Sequence, residues 1–178
     1  MRRARLKAFE QAALVHLDEL FRAARRFSSD RSQAEDLVQE TFLRAWEGFD
    51  RFEPGTNCRA WLYRIFFRAL SARRHELRRE LALFDDEPFD DECPPRWRER
   101  EQVLTPHQIE KAFAALPVAF ATVITLVDVE GLSYKEAASV LEVPVGTVMS
   151  RLHRGRRLLR EWLCPAPPLL VAARGDHD

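Results

Sequence analysis

The sequence predicts an all-α protein: two small helical domains joined by an acidic flexible linker, the C-terminal one a helix-turn-helix. Three observations carry that prediction. Apolar residues recur at helical spacing at both ends of the chain, and alternating Val/Ile/Thr runs bounded by turns are missing. The charge falls into blocks although it sums to zero over 178 residues: 17 basic and 12 acidic side chains in residues 1–81, then 3 and 8 in residues 82–103. A capped short helix, a proline-containing turn and an arginine-rich helix follow one another near the C-terminus.

The first domain is expected over residues 1–81. A helix is predicted from Lys7 to Phe27, with Phe9, Ala13, Leu17, Leu20, Phe21 and Ala24 as its apolar residues. Ser28, Ser29 and Asp30 break the pattern and can cap a second helix from Ser32 to Phe49. There Ala34, Leu37, Val38, Thr41 and Ala45 fall on one stripe, and Glu35, Asp36, Gln39, Glu40 and Arg44 make a polar flank. Pro54-Gly55 marks a turn within residues 50–57. A third helix from Cys58 to Leu81 mixes Trp61, Tyr63, Phe66 and Phe67 with Arg59, Arg64, Arg68, Arg73 and Arg74.

Residues 82–103 hold three prolines and eight acids, so they bury little and read as a linker. Helices are predicted next at 106–115, 117–130, 134–141 and 145–163, making a second domain over 104–163. The proline-containing residues 164–178 read as a loosely ordered tail.

The C-terminal pattern carries chemistry. Gly131 can end one helix, and Ser133 and Glu136 stand in capping-box relation at the start of the next. Ala137, Ala138 and Leu141 are small or apolar and allow a close helix crossing. Glu142-Val143-Pro144 makes the turn. In the last helix Val145, Val148, Met149, Leu152 and Leu159 are expected to face the core. Thr147, Ser150, Arg151 and Arg154 lie on another side, suited to base edges in a DNA groove, while Arg156, Arg157 and Arg160 suit phosphates.

Three segments in order resemble one family. DLVQETFLRAW (36–46) resembles the polymerase-binding helix of extracytoplasmic-function (ECF) sigma factors. NCRAWLYRI (57–65) resembles their promoter-melting helix. SYKEAASVLEVPVGTVMSRLHRGRRLLRE (133–161) resembles their upstream-element reader. The resemblance implies a factor that binds core RNA polymerase, through the β′ clamp helices and the β flap, and initiates transcription at promoter DNA. It implies docking by Asp36, Gln39 and Glu40, with Phe42, Leu43 and Trp46 beside them as apolar anchors.

For the downstream promoter element it implies Phe52, Thr56 and Asn57 in the base-capturing loop, and Arg59, Tyr63, Arg64 and Arg68 along the helix. Trp61, Ile65 and Phe66 are expected in the core; for Tyr63 and Phe67 stacking on bases and packing stay open. For the upstream element it implies Thr147, Ser150, Arg151, Arg154, Arg156 and Arg157. An anti-sigma partner is expected from the resemblance alone. Family members commonly carry Asn where Arg68 stands and often Asp where Ala72 stands, which puts base preference at the downstream element in question. Asp85, Asp86, Glu87, Asp90, Asp91 and Glu92 either mimic nucleic acid in the polymerase's RNA channel or belong to a plain tether.

Other function classes find little here. The five histidines form no ligand-spaced pair, and no phosphate-cradling glycine loop or nucleophile motif occurs. No enzyme activity, metal or cofactor is expected. Cys58, Cys93 and Cys164 are far apart and odd in number, which suits reduced thiols in a cytoplasmic protein. The basic start MRRARLK leads into no apolar run, and Leu169 to Ala173 is too short to span a bilayer, so membrane insertion is not expected. Two alternatives stay open from sequence: a conventional helix-turn-helix regulator, and a polymerase or anti-sigma adaptor that has lost base reading.

Overall fold

In the computed structural model, residues 2–73 and 105–163 are described, and among them only helices and turns occur. The expected linker, the tail, and residues 74–81 of the third expected helix lie outside the described residues, as do Cys93 and Cys164.

The first expected helix is two. Helix α1 spans Arg2–Ala12, a 3-10 turn spans Leu14–His16, and α2 spans Leu17–Phe27. Ala13 is fully buried at the break, and His16 N–H donates to its carbonyl at 3.1 Å. Phe9 of α1 meets Trp46 and Phe49 edge-on, at centroid distances of 5.2 and 5.1 Å. Leu20, Ala23, Ala24 and Phe27 of α2 are buried, and α2 packs on the next helix. Leu17 is turned out to solvent instead of inward, at 43% exposure.

Helix α3 runs Arg31–Gly48, and the Asp30 carboxylate accepts from Gln33 N–H at 2.9 Å as its cap. Its buried residues are Ala34, Leu37, Val38, Thr41 and Ala45, the stripe that the spacing predicts. Helix α4 spans Cys58–Arg73 and buries Leu62, Tyr63, Phe66, Phe67, Ala69 and Leu70; Trp61 and Ile65 are only half-buried. Helices α3 and α4 pack together.

The second group starts with α5, Pro106–Ala115, closed by a reciprocal Thr105/Gln108 capping box with proline at the first turn. Helix α6, Val118–Ile124, widens into a π turn over Thr125–Val129. Gly131, at φ +69°, ends it in a conformation that suits a residue without Cβ. Helix α7, Tyr134–Leu141, carries the Ser133/Glu136 capping box, and α8 spans Val145–Leu163. Between them Glu142 adopts φ +58°.

Gly155 explains how α8 seats on α6. A Cβ there would lie 2.8 Å from Ile124 Cδ1 and 2.9 Å from Phe120 Cβ. The close crossing therefore needs glycine, although glycine costs about 1 kcal/mol in a helix interior. The buried stripe of α8 is Val148, Arg151, Leu152 and Gly155. Val145 and Met149, expected in the core, are 38% and 42% exposed, because the Gly155 contact rotates the stripe away from them.

The two groups share one apolar core. Helix α2 meets α5, with the Phe27 and Phe113 rings edge-on at 6.3 Å, and α4 lies against α7. Each fully buried Leu, Phe or Val contributes roughly 1.5–3 kcal/mol by its removal from water.

Candidate polymerase and nucleic-acid interfaces

Three surfaces hold the residues singled out from the sequence. The first is a groove of about 550 Å³ between α2 and α3. Leu14, Leu17, Phe21, Val38, Phe42, Leu43 and Trp46 line it, with Asp18, Arg31, Glu35 and Gln39 at its polar edge. Leu43 is 57% exposed and Leu14 41%. Such a row of aliphatic and aromatic side chains facing water is the build of a protein-docking site. Trp46 is held by Arg5, whose guanidinium lies 4.4 Å over the indole and donates to the Trp46 carbonyl at 2.7 Å.

Of the three polar residues expected here, Asp36 and Gln39 are exposed. Glu40 is engaged within the chain, by Arg44 at 2.6 Å and Arg73 at 2.7 Å. The sequence pattern does not reveal Leu14 and Leu17 as groove residues, because it offers no sign of the break that turns them outward.

The second surface is the loop before α4 and the exposed side of α4. Phe49–Arg51 forms a 3-10 turn, and the loop folds back through Gly55 at φ +89°. Phe52 stacks on Phe49 at 5.8 Å and leans on Trp61 at 5.1 Å. A cleft of about 480 Å³ opens between this loop and α1, with Phe52, Thr56, Arg5 and Cys58 among its lining residues. Burial raises the Cys58 thiol pKa. The Thr56 hydroxyl donates to the Glu53 carbonyl at 2.7 Å, and the Asn57 side-chain oxygen accepts from Ala60 N–H at 3.1 Å.

Every predicted polar residue from Asn57 onward meets a carboxylate or its surroundings from the second helix group. Asn57 donates to Glu136 at 2.5 Å. Arg59 pairs with Glu130 at 2.7 Å and with Glu19 of α2 at 2.9 Å. Arg64 and Arg68 both donate to one oxygen of Glu142, Arg68 at 2.5 Å. Glu130 is itself buried, with its side chain 6% exposed, and Arg26 stands 3.5 Å from its other oxygen. Burial works against the Arg59 charge, yet the Glu130 hydrogen bond and the charges of Glu19 and Glu130 raise its pKa.

Tyr63 is 0% exposed, packed among the helices. Burial first, then the nearby Glu130 carboxylate, pushes its phenol pKa well up. Phe67 is likewise buried, in edge contact with Phe66 at 5.0 Å. The sequence signals Glu136 only as a cap. Its role opposite Asn57, and those of Glu130 and Glu142, depend on pairings more than 70 residues apart that no local pattern records.

The third surface is α8. Thr147 and Ser150 are half-buried, the Ser150 hydroxyl donating to the Thr147 carbonyl at 3.1 Å. Arg154 is half-buried and Arg157 exposed, 3.8 Å from Glu161. Arg156 makes a two-point pair with Asp128, at 3.0 and 2.5 Å, and that hydrogen bond raises its pKa. Arg151, expected on the DNA side, is 1% exposed, because it shares the buried stripe with Val148, Leu152 and Gly155. Among the described residues no His/Cys/Asp/Glu cluster could hold a metal ion, and no helix is long and apolar enough to cross a membrane.

By architecture this is a two-module helical protein with a helix-turn-helix in its second module. Family models match both modules: Sigma-70 region 2 over residues 14–80 and Sigma-70, region 4 over residues 107–159. The chain is 36% identical over 165 residues to the ECF RNA polymerase sigma factor SigE of Mycolicibacterium smegmatis, covering 90% of this chain and 63% of the relative. It is 32% identical over 174 residues to the RNA polymerase sigma-H factor of Pseudomonas aeruginosa, covering 89% of this chain and 88% of that one. Among solved structures, the sigma factor RpoE of Bartonella quintana, crystallised with the anti-sigma factor NepR, superposes with a TM-score of 0.69 at 31% identity, over 90% of this chain and 99% of that one. The chain belongs to the sigma-70 family of RNA polymerase sigma factors, in its ECF group.

Proposed function

We propose that this chain binds core RNA polymerase and directs it to promoters, initiating transcription without enzymatic activity of its own. The observation that carries this reading is the open apolar groove between α2 and α3, next to the exposed Asp36 and Gln39. Phe42, Leu43 and Trp46 supply the apolar anchor for the β′ clamp helices, and Asp36 and Gln39 pair with polar groups at its edge. Glu40 joins them once released by Arg44 and Arg73. Residues 1–81 act as the polymerase-binding and melting module, 82–103 as the linker, 104–163 as the upstream reader that also meets the β flap, and 164–178 as a tail.

In the downstream interface Phe52 and Thr56 border the cleft that receives an extruded base, and Asn57, Arg59, Arg64 and Arg68 follow the strand. Burial of Tyr63 gives it a supporting part. At the upstream element Thr147, Ser150 and Arg154 meet base edges, and Arg156 and Arg157 meet phosphates. Arg151, on the buried side, positions α8. The protein works in the cytoplasm, where its polymerase is, and an anti-sigma protein holds it inactive.

Run-off transcription tests the reading. Purified chain with core polymerase yields promoter-specific transcripts that core alone does not make. A chain that neither binds core nor yields a transcript from any fragment of its own genome refutes it.

A further inference from the structure

Three carboxylates of the second helix group cover the face of α4 that the proposed function gives to promoter DNA. Glu136 takes Asn57, Glu130 takes Arg59, and Glu142 takes both Arg64 and Arg68. A phosphate backbone would need the same donors, and an arginine paired with a carboxylate is less available to it. Behind the ion pairs, α4 packs on α7 and α2 on α5, so the seam has an apolar floor beneath the charges.

Two features set this arrangement apart from incidental surface pairing. Glu142 sits at φ +58°, a left-handed backbone conformation that glycine adopts freely and a residue with a Cβ adopts only at a cost. The residue at that turn is a glutamate, and its carboxylate reaches across to α4. One oxygen of this same Glu142 gathers both Arg64 and Arg68, two arginines one turn apart on α4.

We propose that the unbound chain is self-occluded: Glu130, Glu136 and Glu142 latch the helix-turn-helix module onto α4, and Arg68 is a latch residue rather than a base reader. The groove between α2 and α3 stays open in the latched form, so polymerase can be engaged first. Promoter strands then compete with the three carboxylates for α4. This rests on the reading of α4 as the downstream promoter face.

The test uses the full chain with Glu136→Gln and Glu142→Gln together. Glutamine keeps the capping box at position 136, and both sites are on the surface, so folding is retained; a circular dichroism melt checks it. Small-angle scattering reads the overall size, and fluorescence anisotropy reads binding of a labelled single-stranded 20-mer without polymerase. The double variant is expected to have a larger radius of gyration than the parent and to bind the strand at least about fivefold more tightly. Unchanged size, or expansion without tighter binding, overturns the proposal.

Arg64→Ala with Arg68→Ala, assayed by run-off transcription with core, separates the two ideas. Lost transcription with an inert double glutamine variant leaves the promoter face standing and removes the latch. Transcription that survives the alanines, with strand binding indifferent to them, removes the promoter face and the proposed occlusion with it, while any expansion of the double glutamine variant still marks the contact itself.

Discussion

The apolar groove between α2 and α3 and the basic face of α4 lie on the same module, yet the fold treats them oppositely. The groove presents Leu14, Leu17 and Leu43 to water with nothing from the second helix group lining it. The α4 face is met, donor by donor, by Glu130, Glu136 and Glu142. The difference teaches that an apolar docking surface stays open where no helix of the second group reaches it. A row of arginines attracts any carboxylate that packing brings near, so a covalently tethered neighbour readily covers it.

Changes to either surface break or sharpen this contrast. The largest effect is expected at the groove: Leu43→Asp places a charge among the anchors and lowers affinity for core polymerase by more than about tenfold, roughly 2 kcal/mol for a central anchor. Sedimentation with core measures this, and thermal stability stays near the parent value because Leu43 is 57% exposed. Gly155→Val comes next. It forces α8 off Phe120 and Ile124 and costs about 1–3 kcal/mol in thermal unfolding, undermining the platform that carries the three carboxylates.

Ser133→Ala removes one half of the α7 capping box and costs about 1 kcal/mol by the same measurement, with the groove unaffected. The smallest effect is expected from acid. The Ser133 hydrogen bonds, then Asn57, lower the Glu136 carboxyl pKa, and the Arg64 and Arg68 hydrogen bonds lower that of Glu142. A carboxyl depressed in the folded state contributes stability above the ordinary carboxylate value of about 4.3 and loses it as pH falls through that region and below. Scattering measured from about pH 5 down to about pH 3 should therefore show the seam loosening at the acid end. The chain carrying both Glu136→Gln and Glu142→Gln should show little such change.

Much of this is legible in the sequence wherever the determinant is local. The α3 stripe of Ala34, Leu37, Val38, Thr41 and Ala45 follows helical spacing, and the Ser133/Glu136 and Pro106 signals fix their helix starts because capping is a matter of three or four residues. The break between α1 and α2 is not legible, since no proline or glycine marks it. It arises where Ala13 is fully buried and Phe9 turns onto Trp46 and Phe49. The phase of α8 escapes the spacing for a similar reason. Gly155 decides which side faces α6, and so Arg151 turns inward while Val145 and Met149 turn out. The partners of Arg59, Arg64 and Arg68 depend on how two helix groups meet, which spacing within either group does not encode.

The seam also has a consequence in time. Asn57 and Glu136 are 79 positions apart, and Arg59 and Glu130 are 71 apart. At roughly 5–20 residues added per second, a ribosome that has just added Asn57 and Arg59 needs roughly 4–16 s to reach the glutamates that will cover them. Each newborn copy thus passes through an interval in which its strand-binding helix exists before its cover does.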